Sequence, residues 1–509
     1  MGPSHEAATA ENLVDTAHGL RRQNRAEEAL VAYARVVDEH GASPDTETRR
    51  EVARAIGWKS CLLRELGRYE AALAAEEDFI QRFGDESDSE LAEQLLVVLQ
   101  HKGGTLSALR QPEQALATYD DLLARADGRP ENARRVVEAL YGKGGALREL
   151  GRTAEALAAY DGAIARCGAA GGALDQFLSD SLYAKAYMLK HAGRLQQAIA
   201  GYDEIVARFD ASTEPQLRRD LARGLYSKSL TLEELGRRQE AITVCDEIVA
   251  RFGGSSDPAL TAKVADALAQ KGSCLAQQGL AEEALGAYDE LLVRYGDATE
   301  PQLREPVSRA LGNKASLLAL SRRNDEAVVV ADALAERFAE ATEPGAPASL
   351  ARALLSEGLA LSQEERWEEA IEVLNTLVSR FGDADEPSLR GTAAIALINK
   401  TEALAQLGEM DEAIAVHEDM INRFGEDAVR ALDEAAQECG EALGPGMREQ
   451  LAGILLKKAM VLNELERPED ALATLNEVIT RFEDDESEAI RRAGAAAREL
   501  REQLLEAGD

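Results

Sequence analysis

The sequence predicts an all-α protein, a solenoid of paired helices, on three observations. One motif returns eleven times, mostly every 41 to 43 residues. Within each copy the apolar residues recur at helical spacing, not at the alternation of a strand. Glycines fall at regular intervals where a helix would have to stop. At 509 residues the chain is also too long for one closed core, a limit that an open repeat avoids. Aromatics make up only 4% against 45% hydrophobic residues, so the apolar content is chiefly Ala, Leu, Val and Ile, a helix-forming balance.

Eleven alanines anchor the repeat: Ala29, Ala72, Ala115, Ala156, Ala198, Ala241, Ala284, Ala327, Ala370, Ala413 and Ala471. Their spacings are 43, 43, 41 and 42, then 43 five times, then 58. Residues 1–8 precede the pattern and are expected to be disordered. Ten copies follow over 9–425, each reading as helix, tight turn, helix. In the copy running from Leu217 to Phe252, Leu225, Leu232 and Leu235 share a stripe with the small Ser229. Gly236 then ends the first helix. Glycine holds that place in six copies (Gly67, Gly151, Gly193, Gly236, Gly279, Gly408) and Asn24, the next most tolerant residue, in the first.

The second helix of the same copy carries Ala241, Ile242, Ile248 and Val249 on one face. The connection onward reads F-G-D-x-x-x-P-x-L. It places Pro215, Pro258, Pro301, Pro344 and Pro387 where the next first helix begins, a position that tolerates a missing N–H. Residues 426–450 break the period. There Asp427 to Leu443 reads as an extra acidic helix, and Gly444-Pro445-Gly446 as the loop that ends it. The eleventh copy occupies 451–484. Residues 485–509 read as a charged amphipathic helix that caps the open end.

Twelve residues before each anchor the residue is small: Ala17, Ser60, Gly103, Gly144, Ala186, Ser229, Gly272, Ala315, Gly358, Thr401 and Ala459. With the L-G-R and E-A that follow, and an aromatic often four residues later, the pattern resembles the tetratricopeptide repeat over residues 10–484. The copies run about nine residues longer than the usual unit. In that they are similar to the long-helix arrays of the kinesin light chain type and to arrays of actinobacteria and cyanobacteria. The resemblance implies a right-handed superhelix with a concave groove lined by first helices.

Three ladders run along the repeat. Nine lysines hold one position inside the apolar stripe of the first helix: Lys59, Lys102, Lys143, Lys185, Lys228, Lys271, Lys314, Lys400 and Lys458. Such a lysine must bury its stem and find an acceptor for its ammonium. Eighteen residues on, the second helix offers Glu77, Asp120, Asp161, Asp203, Asp246, Asp289, Asp332, Glu418 and Asn476. The two copies without the lysine (Thr16, Glu357) also lack the acid (Ala34, Asn375). The expected result is a bridge between helices, which would cost on the order of 3 kcal/mol to break if buried. A cationic track for acidic peptides is the functional alternative.

The second ladder places arginine near the end of the second helix, as in Arg82, Arg208, Arg294 and Arg423, usually followed by Phe or Tyr. A cation suits the unpaired carbonyls there, and seven of ten have an acid four residues earlier. The phenylalanines are expected to plug the seam between copies.

The third ladder is local. Fifteen residues before the anchor, three successive copies carry Tyr141, Tyr183 and Tyr226. Tyr187 lies one turn beyond Tyr183, and Arg148 and Lys190 lie two turns beyond Tyr141 and Tyr183. Other copies have Gly57, Ala269 or Gly312 at the tyrosine position, so these rings are not a demand of the repeat. Tyrosine beside a cation is typical of interface hot spots. Packing between adjacent first helices is the plain alternative.

The chain has 57 basic and 92 acidic residues, a formal charge of −35, which repels nucleic acid and anionic membrane and favours a partner with a basic segment. No apolar run is long enough to span a bilayer, and the N-terminus lacks a secretion signal. Cys61, Cys167, Cys245, Cys274 and Cys439 are scattered, which suggests free thiols and a cytoplasmic setting. Cys245 fills a slot held elsewhere by tyrosine and reads as core. The six histidines share no metal-ligand spacing, and no cofactor motif occurs. The expectation is a non-enzymatic scaffold or adaptor that binds a protein segment in its groove. Self-association into a dimer or filament is the alternative.

Overall fold

The computed structural model describes residues 5–85, 88–126, 129–338, 345–439, 445–482 and 487–507. The described residues form twenty-three α-helices and two short 3-10 turns, with no strand among them. The chain divides into two units, Met1–Gly224 and Leu225–Asp509.

In the first unit the pairs are α1 (His5–Arg22) with α2 (Ala26–His40), α3 (Thr46–Glu65) with α4 (Tyr69–Phe83), and α5 (Ser89–Ala108) with α6 (Pro112–Ala126). Next come α7 (Ala133–Glu149) with α8 (Thr153–Ala170) and α9 (Asp175–His191) with α10 (Leu195–Phe209). The unit boundary falls inside α11 (Pro215–Glu234), and α12 (Arg238–Phe252) follows it. The second unit continues with α13 (Pro258–Gln277) and α14 (Ala281–Tyr295), α15 (Pro301–Leu320) and α16 (Asn324–Phe338), α17 (Ala346–Gln363) and α18 (Trp367–Phe381). It ends with α19 (Pro387–Gln406) and α20 (Met410–Cys439), α21 (Pro445–Glu464) and α22 (Pro468–Arg481), and a lone α23 (Glu488–Ala507).

Within each unit these pairs stack in sequence, the arrangement of an α-solenoid. First helices lie against first helices, α1 on α3 through to α9 and α13 on α15 through to α19. Second helices of successive repeats have no comparable contact among the described residues, so the first helices form the tighter layer.

The turn inside each repeat is the same in all eleven. One residue takes φ between 56° and 83°: the six glycines and Asn24 named above, but also Arg110, Arg322, Glu365 and Glu466. The next residue closes the helix end, as when Arg68 N–H donates to the Leu63 carbonyl at 2.9 Å. The small residue of the first helix makes room for a ring. A Cβ on Gly103 would stand 2.4 Å from the Tyr119 ring, and one on Gly272 2.4 Å from Tyr288. Asp45, Asp88 and Asp257 cap first helices through their carboxylates; Pro258 opens the helix that Asp257 caps, and Pro301 and Pro387 open two more. Pro344 lies outside the described residues.

The lysine ladder exists, but its register differs from the sequence expectation. Six of the nine lysines pair with an acid of the preceding repeat, not with the acid eighteen residues on. In the first unit Lys102 meets Glu77 at 3.4 Å, Lys143 meets Asp120 at 2.6 Å and Lys185 meets Asp161 at 2.6 Å. In the second, Lys271–Asp246 is 2.6 Å, Lys314–Asp289 2.5 Å and Lys458–Asp433 2.5 Å. The rungs therefore clip neighbouring repeats together. These lysine side chains stay 19–34% exposed and their acids 43–56%, so the buried-charge penalty does not apply. By this register Lys59 falls opposite Ala34, Lys400 opposite Asn375 and Glu357 opposite Asp332. The paired absences noted in the sequence thus belong to different seams.

All seven expected i,i+4 pairs form at the arginine ladder, among them Arg82–Asp78 at 2.7 Å and Arg294–Glu290 at 2.7 Å. The arginine does a second thing that spacing alone did not reveal. Arg82 donates to the carbonyl of Gly41, and Arg125 to that of Gly84, the residue just past the preceding repeat's second helix, at 3.2 and 3.1 Å. Phe83, Phe209, Phe252, Phe338, Phe381, Phe424 and Phe482 are all buried.

The N-terminus and the irregular segment correct three further expectations. Helix starts at His5 with Ala7 buried, so residues 5–8 are ordered, and residues 1–4 lie outside the described ones. The acidic stretch from Asp427 is not a separate helix but the continuation of α20, which runs thirty residues. Residues 440–444 lie outside the described ones, and Pro445 already opens α21. The added half of α20 resumes the repeat register. Ala428 is buried as an anchor would be, Glu426 pairs with Arg467 at 3.2 Å, and Asp433 supplies the rung to Lys458. At the C-terminus α23 takes the place of a first helix. Arg501 donates to Asn476 at 3.2 Å, the same twenty-five-residue rung. Where α21 buries Leu455 and Ala459, α23 has the exposed Arg498 and Glu502.

Candidate functional site

The tyrosines rise from the first-helix layer. Tyr141 on α7 and Tyr183 on α9 each lean on the buried tyrosine of their own repeat, Tyr160 and Tyr202, with ring centres 5.9 Å apart in both cases. Tyr187 stacks near Tyr183 at 6.3 Å and lies 4.3 Å from His191. Tyr141 and Tyr187 remain 38% and 39% exposed, unusual for aromatics in this chain.

A charged group surrounds these rings. The Arg223 guanidinium lies 4.0 Å above the Tyr183 ring. It also reaches Asp220 at 3.1 Å and Asp180 at 3.5 Å. Gln176 donates to Asp220 at 2.8 Å and to Asp180 at 3.2 Å. Burial pushes the Asp180 carboxyl up, and the neighbouring Asp220 adds to it. Burial likewise raises the Tyr141 phenol, Asp180 adds to the rise, and Arg223 and Arg148 oppose it. Arg148 is exposed on α7, and Lys190 is half-buried on α9. Thus Tyr141, Tyr183, Tyr187, Arg148 and Lys190 all fall in the first unit, on α7 and α9.

Tyr226 belongs to the second unit. Lys263 lies 4.8 Å above its ring and pairs with Asp266 at 2.7 Å, and Arg309 reaches the same aspartate at 3.1 Å. Burial raises the Tyr226 phenol, with Asp266 adding to it.

Sequence reasoning missed Asp180, Asp220, Arg223, Lys263, Asp266 and Arg309. The signal was present: three residues before the tyrosine position, successive repeats carry Glu138, Asp180, Arg223, Asp266 and Arg309. Other repeats have Val97 or Ile395 there. On the second-helix side a cleft of about 510 Å³ opens between α8 and α10, floored by Leu182 and Leu189 and walled by Ala158 and Gly201. Among the described residues no three His, Cys, Asp or Glu side chains gather as a metal site, and no helix is long and apolar enough to cross a membrane. Cys245 is fully buried, and burial pushes its thiol up to about 12, as expected of a core residue and not of a nucleophile.

The family model described as tetratricopeptide repeat matches residues 103–172, 226–299 and 355–428. Over those stretches the chain carries tetratricopeptide repeats. Three solved structures are similar to this array. The apo form of RapI is 10% identical, covering 79% of this chain and 99% of that one, with a TM-score of 0.46. The apo form of the quorum sensor NprR from B. thuringiensis is 14% identical, covering 74% and 99%, with a TM-score of 0.41. A tetratricopeptide repeat protein from Parabacteroides merdae is 14% identical, covering 60% and 99%, with a TM-score of 0.37. No curated protein matches the sequence.

Proposed function

We propose that this repeat array is a non-enzymatic scaffold, and that the first-helix face of α7 and α9 holds a segment of another protein. One observation carries the reading: Tyr141 and Tyr187 stay exposed beside Arg148, Lys190 and His191, although a regular repeat needs no ring at either place. Large, stiff rings with a hydrogen-bonding end are what an interface uses. The acidic balance of the chain favours a partner with a basic segment and disfavours nucleic acid and anionic membrane. Tyr226, in the other unit, is a further candidate contact. The scaffold reading is preferred to end-to-end self-assembly because α23 presents Arg498 and Glu502 where another helix would have to dock. The setting we propose is cytoplasmic. Capture from lysate of the native host by the wild type, lost in Tyr187→Ala with helicity unchanged, tests this; capture unaffected by Tyr187→Ala would reject the face.

A further inference from the structure

We infer that Tyr141 and Asp180 form a seat for one cationic side chain, the guanidinium or ammonium of a basic segment of a partner protein. The inference rests on the groove reading above and adds the chemistry of one contact in it. Its basis is a comparison of one repeat position across three repeats. Tyr183 and Tyr226 are each met by a cation from the first helix of the following repeat. For Tyr183 that helix supplies Arg223, whose guanidinium covers the ring at 4.0 Å while pairing with Asp220 and Asp180. For Tyr226 the following helix supplies Lys263, 4.8 Å from the ring and paired with Asp266. Both rings are thus closed by a cation that an aspartate holds in place.

At Tyr141 the repeat is incomplete. The residue equivalent to Arg223 is Asp180, one repeat earlier. The aspartate is present, and among the described residues no arginine or lysine lies over the Tyr141 ring. The ring is more than a third exposed, so its open side is reachable. Two carboxylates, Asp180 and Asp220, share the single Arg223, which leaves a negative excess beside an uncovered aromatic face. The Tyr141 phenol and the Asp180 carboxyl are both raised, chiefly by burial, with Asp180 adding to the first and Asp220 to the second. A cation arriving from outside would stack on Tyr141, meet Asp180 and complete the arrangement that the next two repeats build from their own residues. The chemistry selects a cation specifically: an acidic side chain would meet Asp180 and Asp220 head on.

The test uses the full-length chain and a fluorescein-labelled peptide of alternating arginine and glycine, followed by anisotropy at low and at near-physiological salt. Tyr141→Ala and Asp180→Asn should each weaken binding roughly three- to thirtyfold, the range of a desolvated cation–aromatic contact. Tyr141→Phe should bind as the wild type, because the ring face is kept. Asp325→Asn, which removes an equal charge at an exposed site, should change little. Equal weakening by Asp325→Asn, or wild-type binding by Tyr141→Ala, would mean that the peptide senses only net charge and would overturn the seat. If Tyr187→Ala abolishes capture of the native partner while Tyr141→Ala does not, the seat fails and the groove stands. If neither matters, both fail.

Discussion

The Lys271 ammonium lies 2.6 Å from a carboxylate oxygen of Asp246, a residue of the preceding repeat. The acid in its own repeat, Asp289, is instead bridged by Lys314. A double-mutant cycle on Lys271 and Asp246 should give a coupling of roughly 0.2–1 kcal/mol, the range of a half-exposed pair. The cycle on Lys271 and Asp289 should give none. Denaturant unfolding of the single and double variants measures both.

The ladder makes an unusual demand at Glu357. This residue occupies the lysine position and is buried, and burial together with Asp332 pushes its carboxyl up to about 7. Glu357→Lys should place an ammonium opposite Asp332 and stabilise the fold at neutral pH by on the order of 1–2 kcal/mol, read as a higher unfolding midpoint. A lower midpoint would contradict the register.

Glu76 offers a pH experiment. It is fully buried in the slot that tyrosine fills in five other repeats, accepting hydrogen bonds from Ser60 at 2.7 Å and Thr105 at 3.1 Å. Burial raises its carboxyl from the ordinary 4.5 to about 7. Near pH 4 the group is neutral both folded and unfolded. As pH rises the unfolded chain ionises first, so stability drains away between about 4.5 and 7 and stays low above. Glu76→Gln should recover on the order of 3 kcal/mol at pH 8 and almost nothing at pH 4. Thermal unfolding of both forms across that range decides it.

Four turns hold a residue other than Gly or Asn in the left-handed region: Arg110, Arg322, Glu365 and Glu466, at φ 56–59°. Replacing Arg110 or Glu365 by glycine should stabilise by roughly 1 kcal/mol each, since the steric cost of the Cβ outweighs the added freedom of the unfolded chain. The converse change, Gly67→Ala, should destabilise by a similar amount. Calorimetric midpoints report both.

The repeat, its helices and its turns were legible because each rests on local chemistry repeated eleven times. The anchor alanines, the turn glycines and the seven i,i+4 arginine pairs all follow from spacing within one helix or one turn. What spacing could not settle was which neighbour a side chain meets. Lys102 has Asp120 ahead of it and Glu77 behind it in sequence, and only the packing of α5 on α4 selects Glu77. The same gap hid Arg223, whose contacts to Asp180 and Tyr183 cross from one repeat to the next. The continuation of α20 was missed because Gly425 stands in its middle, and its own preference gave way to the packing of Ala428 and Val429. Tyr141 and Tyr187 were found because they break the pattern of the other repeats.

Because every rung straddles a seam, the repeats are interchangeable at their borders. A genetic crossover that drops or duplicates one whole repeat would join an acid to a lysine it had never met, and the junction would still close. That freedom is lost where Ala34 and Asn375 stand in the acid's line and Glu357 in the lysine's, so growth of the array by copying should favour the stretches between those points.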